Sequence, residues 1–169
     1  MAKYLEGLLD PFISLLEIHK LMYFLQEAGE PLRLKYCKAT YGPYSENLRH
    51  VLNAIEGYYI LGYAEGGDAP GKEISLLPGA LDEADLLLER NVTTSLNIEK
   101  VTNLVQGFES AFGLELLASV LWIVKNESAI SSPDVMKNLY NWNEHKRQFS
   151  EFQVKKAIEV LQVKRWIDA

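Results

Sequence analysis

The stretch from Asp10 to Tyr44 limits the fold more than any other part of the chain. It opens with Phe12, Ile13, Leu15, Leu16, Ile18, Leu21, Met22, Tyr23, Phe24 and Leu25, with only Ser14, Glu17, His19, Lys20, Gln26 and Glu27 polar. Asp10 is placed to cap a helix, and Pro11 suits the first helical position because it has no N–H to lose. Gly29 supplies a left-handed exit and Pro31 blocks continuation. The pattern predicts a helix from Pro11 to Ala28, about 27 Å long at 1.5 Å per residue. A helix apolar on nearly every side has to be enclosed by other elements, so it belongs at the centre of a domain. Leu32 to Tyr36 alternates like a short strand, and Tyr41-Gly42-Pro43-Tyr44 reads as a turn that launches a second helix.

The remaining elements are set by periodicity and punctuation. A helix is predicted from Pro43 to about Glu56, with Leu48, Val51, Leu52 and Ile55 inward and Gly57 closing it. Tyr58–Tyr63 and Glu73–Leu77 read as two strands of a hairpin. A helix from Ala80 to Arg90 would turn Leu81, Ala84, Leu87 and Leu88 inward and Asp82, Glu83, Asp85 and Glu89 outward. After a polar break at Asn91–Ser95, helices are expected near Asn97–Phe112 and Leu114–Lys125, with Gly107 and Gly113 weakening or ending the first. Ser132-Pro133 starts another, and Ser150 with Gln153 forms a capping box for the last. No internal repeat or linker interrupts the pattern. The fold class is mainly α (α+β): one compact domain, 1–169, around a buried central helix, with a small β-hairpin or sheet.

At 169 residues the chain is long enough for a sizeable core, and 48% apolar with 24% charged residues suits a soluble globular protein. No run of about 18 apolar residues offers a membrane span. The first ten residues lack a basic-then-apolar secretion layout, and the single Cys37 cannot form an internal disulfide; both point to the cytoplasm. Cys37 reads as a plain buried or half-buried thiol.

Few residues suggest catalysis. His19, His50 and His145 have no partner at metal-ligand spacing, so no metal site is expected. Gly66 to Gly71 followed by Lys72 matches the phosphate-cradling G-x-x-x-x-G-K. Glu73 stands where a hydroxyl should hold Mg²⁺, however, and a strand comes next instead of a helix, so a hairpin turn is the better reading. No catalytic residue and no cofactor is assigned.

Charge distribution is more informative than the net value of −6. From Ala64 to Arg90, seven acids face two bases; from Val135 to Ala169, seven bases face four acids. The last three predicted helices have helix-turn-helix order, and Lys155, Lys156, Lys164 and Arg165 would suit DNA phosphates. A DNA-binding regulator is therefore the alternative. The interval from Asn141 to Phe149 is long for such a turn, and the acidic middle opposes a nucleic-acid backbone.

Three segments carry a family resemblance. Leu16-Glu17-Ile18-His19-Lys20-Leu21-Met22-Tyr23-Phe24-Leu25-Gln26, then Leu34-Lys35-Tyr36 with Tyr41-Gly42-Pro43-Tyr44-Ser45-Glu46-Asn47-Leu48, and finally Trp142-Asn143-Glu144-His145-Lys146 resemble the C-terminal domain of DarG antitoxins. The order helix, strand, tyrosine-glycine-proline, helix is more distantly similar to the Panacea domain. The likeness runs from about Tyr4 to Trp166. It implies a non-enzymatic domain that grips a DarT-type toxin, an enzyme that attaches ADP-ribose from NAD to thymidine in single-stranded DNA. It also implies an upstream macrodomain in the full-length protein, and no direct contact with nucleic acid or membrane. Carboxylates at Glu65, Asp68, Asp82, Glu83, Asp85 and Glu89, with aromatics at Tyr41 or Tyr44, would then stand in for phosphates and bases in the toxin's groove.

Overall fold

The computed structural model describes residues 12–64, 67–127, 129 and 131–168. The predicted cap at Asp10, Pro11 and the acidic candidate Glu65 lie outside them. The apolar opening is not one helix. Phe12–Ser14 forms a strand, β1, and the helix α1 runs Leu15–Glu27. Ser14 rather than Asp10 is its N-cap: Ser14 Oγ accepts from the Glu17 N–H, and Glu17 accepts from the Ser14 N–H at 2.8 Å. This reciprocal pairing satisfies backbone donors that a helix start otherwise leaves open.

Two small antiparallel sheets come next. β2 (Tyr36–Ala39) pairs with β3 (Gly42–Ser45) across the two-residue loop Thr40-Tyr41. The expected strand at 32–36 is absent until Tyr36, because side chains take up its backbone groups: Leu34 N–H bonds Gln26 Oε1 and Lys35 N–H bonds Asn47 Oδ1. Since Gly42–Ser45 is laddered to β2, the next helix, α2, starts only at Leu48 and ends at Ile55, with Val51 exposed. β4 shrinks to Ile60–Leu61, because Glu56 receives the N–H groups of Gly62 and Tyr63 that would have extended it. β5 (Glu73–Leu76) lies between β4 and β1, giving a three-stranded order β1-β5-β4 in which the β1 pairing has no local sequence signal.

The helical body is built from α3 (Ala80–Arg90), α4 (Val92–Val105), α5 (Ala111–Asn126), α6 (Ser132–Trp142), a 3₁₀ turn (Glu144–Gln148) and α7 (Glu151–Val163). The polar break between α3 and α4 is Asn91 alone, since Ser95 N–H already bonds the Asn91 carbonyl. The capping box at Ser150 and Gln153 is formed as expected. α5 buries ten of its sixteen residues and shares the centre with α1, which it packs against together with α6, α7 and β3. Leu87 is exposed and Asp85 half-buried, so the inward face of α3 is narrower than its pattern suggests. Cys37 is exposed, not buried, on the two-stranded ribbon. Among the described residues no helix is long and apolar enough to cross a membrane, and no cluster of three or more His, Cys, Asp or Glu is placed to hold a metal.

Gly113 does not end a helix; it lies in the first turn of α5, where its N–H bonds the capping Ser110 Oγ at 3.1 Å. A Cβ there would stand 2.7 Å from the Phe108 carbonyl oxygen and 2.9 Å from its Cα. At an open helix position Gly→Ala gains about 0.5–1 kcal/mol. Gly113→Ala should instead destabilise by about 1–3 kcal/mol, because the obstruction is backbone and cannot swing away. Urea unfolding of the two proteins reads the sign directly.

Candidate functional site

The three segments that carry the resemblance meet at the β2–β3 hairpin. From α1, Lys20 Nζ donates to the Pro43 carbonyl at 2.7 Å. From the end of α6, Trp142 Nε1 donates to the Ala39 carbonyl at 3.0 Å, and Asn143 Nδ2 to the Thr40 carbonyl at 3.1 Å. Side chains from both flanks therefore bind three of the turn's carbonyls. Gly42, at φ +94°, is forced by both conformation and space, since a Cβ would lie 2.8 Å from Ser119 Oγ of α5.

Beneath the hairpin lies a buried charge cluster that sequence reasoning missed. Lys146 Nζ lies 2.5 Å from Glu115 Oε1, with both side chains nearly sealed from solvent. His145 Nε2 approaches the same carboxylate at 3.2 Å, and its ring meets Tyr41 edge-on at 4.8 Å between centroids. Burial lowers the pKa of Lys146, and Glu115 works against that shift. Lys20, only 2% exposed, is held at about 7 by burial first and by the nearby Lys146 second. Burial also brings His19 to about 4, with Lys20 adding to the effect. The signal for this cluster was present in outline: Lys20 and Glu115 interrupt two of the most apolar helices, and a charge in such a place needs a partner.

The predicted contact residues divide into two groups. Tyr41, Tyr44 and Asp68 line one small cavity of about 60 Å³, together with His19, Lys20 and Pro70. None of the three is idle. Tyr44 stacks on His19 at 4.5 Å and donates to Glu46 at 3.0 Å, and its phenol is raised to about 12, burial coming first and the Glu46 bond next. Asp68 accepts from the Tyr63 hydroxyl and pairs with Arg49 Nε, both at 3.0 Å. Asp82, Glu83, Asp85 and Glu89 form no part of this wall. They ride on α3, with Asp82, Glu83 and Glu89 exposed, and Glu83 bonds the Tyr59 phenol and raises its pKa. The basic residues of α7 are largely engaged: Lys155 with Glu151 at 2.6 Å, Lys156 with Glu159 at 3.1 Å, and Lys164 with the Asn103 carbonyl. Lys72 of the near-miss phosphate motif bonds the Tyr63 and Gly67 carbonyls.

The chain is similar to part of proteins named DNA ADP-ribosyl glycohydrolase. It is 41% identical to one from Thermus aquaticus over 158 residues, 93% of this chain and 43% of that protein. It is 33% identical to proteins of the same name from Mycobacterium bovis and Mycobacterium tuberculosis, over 87% of this chain and 44% of each. The chain thus spans less than half the length of these relatives. No family model matches it. The relatives' name agrees with the DarG context of the resemblance.

Two outcomes test the hairpin cluster. Glu115→Gln should cost about 3–5 kcal/mol in urea unfolding, because it strands the buried Lys146 charge, whereas Glu115→Gln with Lys146→Met should recover much of the loss. The second concerns pH. Folded Lys20 titrates near 7 and unfolded Lys20 near 10.5. Below pH 7 both states hold the proton, and the cost of the buried charge is present in full. Above 7 only the unfolded chain holds it, so stability rises with pH by up to about 1.4 kcal/mol per unit from this group. Lys20→Met should flatten that rise between pH 7 and 9, whatever it does to total stability.

Proposed function

We propose that this chain is a non-enzymatic toxin-binding domain, 1–169, which captures a DarT-type DNA ADP-ribosyltransferase and occupies its single-stranded DNA site. The reading places the hydrolysis named in the relatives in the portion that this chain does not span, a macrodomain upstream in the full-length protein. The observation that carries the reading is the one-sided charge of α3, where Asp82, Glu83 and Glu89 stand exposed on a single helix. A groove that holds single-stranded DNA is basic and lined with stacking surfaces. Carboxylates set along a rigid helix can lie where its phosphates would lie. In this role the opposed fields speed association and weaken with salt. Tyr41, Tyr44 and Asp68 form the second part of the contact, and Glu65 belongs to the same acidic stretch.

The opposite assignment, a duplex-binding regulator, is less well supported, because Lys155, Lys156 and Lys164 already have partners. The deciding experiment measures DNA ADP-ribosylation by a DarT-type toxin with and without this chain, and then the toxin's affinity for a single-stranded oligonucleotide in its presence. Inhibition with competitive displacement of the oligonucleotide is expected. Simultaneous binding of both would remove the mimicry while leaving capture intact. Release of ADP-ribose from modified DNA by this chain alone would overturn the non-enzymatic assignment.

A further inference from the structure

The α3–α4 corner exposes more aliphatic surface than any other place the fold describes. Leu86 is 55% exposed, Leu87 61%, Val92 68% and Leu96 59%. These four lie within eleven residues, on the last turns of α3 and the first turns of α4. Asn91 alone joins the two helices, and it is fixed to both: its backbone N–H bonds the Leu88 carbonyl, its side chain the Leu87 carbonyl at 2.8 Å, and its own carbonyl accepts the Ser95 N–H. The corner is thus a formed structure and not a loose connection. Scattered exposed aliphatics are ordinary, but a group on one rigid corner marks a surface that something covers.

The surrounding charge says what covers it. Between Ala80 and Lys100 there are five acids, Asp82, Glu83, Asp85, Glu89 and Glu99, against Arg90 and Lys100. Lys100 is turned onto the Trp166 ring at 4.9 Å. A second copy of this chain docked corner to corner would bring like charges together. A nucleic acid or an anionic lipid surface would be repelled in the same way. A basic protein face with an apolar cleft fits on both counts.

We infer that the α3–α4 corner is the apolar half of the docking surface, occupied by a cleft in a basic protein partner. The inference rests on the toxin-capture reading, and it relocates the apolar contribution. Tyr44 is already stacked on His19 and Tyr41 meets His145 edge-on, so the aliphatic corner, not the tyrosines, supplies the surface that fills the partner's base-binding cleft. The acids steer the approach and Leu86, Leu87, Val92 and Leu96 hold the complex.

The test uses the full chain and a DarT-type toxin in titration calorimetry at low and moderate salt. The variants are Leu86→Ser with Leu87→Ser, Val92→Ser with Leu96→Ser, and the acid set Asp82→Asn, Glu83→Gln, Glu89→Gln. Both corner variants should fold like the parent by circular dichroism, since the replaced side chains are exposed. Each should weaken binding at least about tenfold with the salt dependence unchanged, whereas the acid set should mainly flatten the salt dependence. Unchanged affinity of both corner variants beside normal capture by the parent would overturn the corner and leave capture standing. Failure of the parent itself to bind would overturn both. A parent that dimerises in sedimentation, and corner variants that do not, would assign the corner to a second copy and overturn the proposal.

Discussion

The β2–β3 hairpin is held from below by charges that have been taken out of water, and most of the fold is arranged to make that tolerable. A two-stranded ribbon is marginal when isolated. This one is fastened by Lys20 at the Pro43 carbonyl, by Trp142 at Ala39 and by Asn143 at Thr40. The fastening groups come from α1 and from the end of α6, at opposite ends of the sequence. Lys146 and Glu115 then tie the 3₁₀ turn to α5 under the same hairpin. A buried pair of this kind adds little net stability compared with an apolar replacement, yet removing one partner is expensive. In this seat Lys146 has Glu115 as its partner and Lys20 has the Pro43 carbonyl.

That arrangement bears on what the chain can do. Lys20, His19 and Lys146, whose pKa values burial lowers, lie in the interior and bond backbone carbonyls, an aromatic ring or a carboxylate. Perturbed groups cluster at catalytic sites in many proteins, but ion pairs that serve the fold perturb them too. Here the partners are the fold's own. On α3 and its corner with α4, acids and aliphatics face solvent together. The proposed binding role draws on such a preformed surface, which loses less freedom on association.

Much of the helical body was legible from periodicity and caps. Ala80–Arg90 and the Ser150–Gln153 box match their local signals closely. The failures have a common physical origin. β1 reads as part of the helix because Phe12-Ile13 is as apolar as Leu15-Leu16, and its true pairing is with Ile74 and Ser75, far along the chain. The 32–35 segment alternates like a strand, but its N–H groups find Gln26 and Asn47 before they find a ladder. Gly113 looks like a breaker because local propensity cannot see Phe108 folding back against it. The expected contact residues are not one group in space: Tyr41, Tyr44 and Asp68 line one cavity wall, and Asp82, Glu83, Asp85 and Glu89 lie apart from it on α3, a division that no local pattern signals. The buried partners Lys20, Glu115 and Lys146 could not be joined from sequence, since nothing local relates α1, α5 and the turn after α6.

In the proposed capture, separating steering from holding accounts for exposed leucines on an acidic helix. Charge at the rim changes how often partners meet, and its effect falls as salt rises. It does little to slow departure, because each carboxylate keeps most of its hydration in an open contact. Departure is slowed by apolar surface that water must re-enter. A chain that met its partner through Asp82, Glu83 and Glu89 alone would bind quickly and leave quickly. With Leu86, Leu87, Val92 and Leu96 beside them, on a corner made stiff by Asn91, the same surface can both attract a basic groove and stay in it.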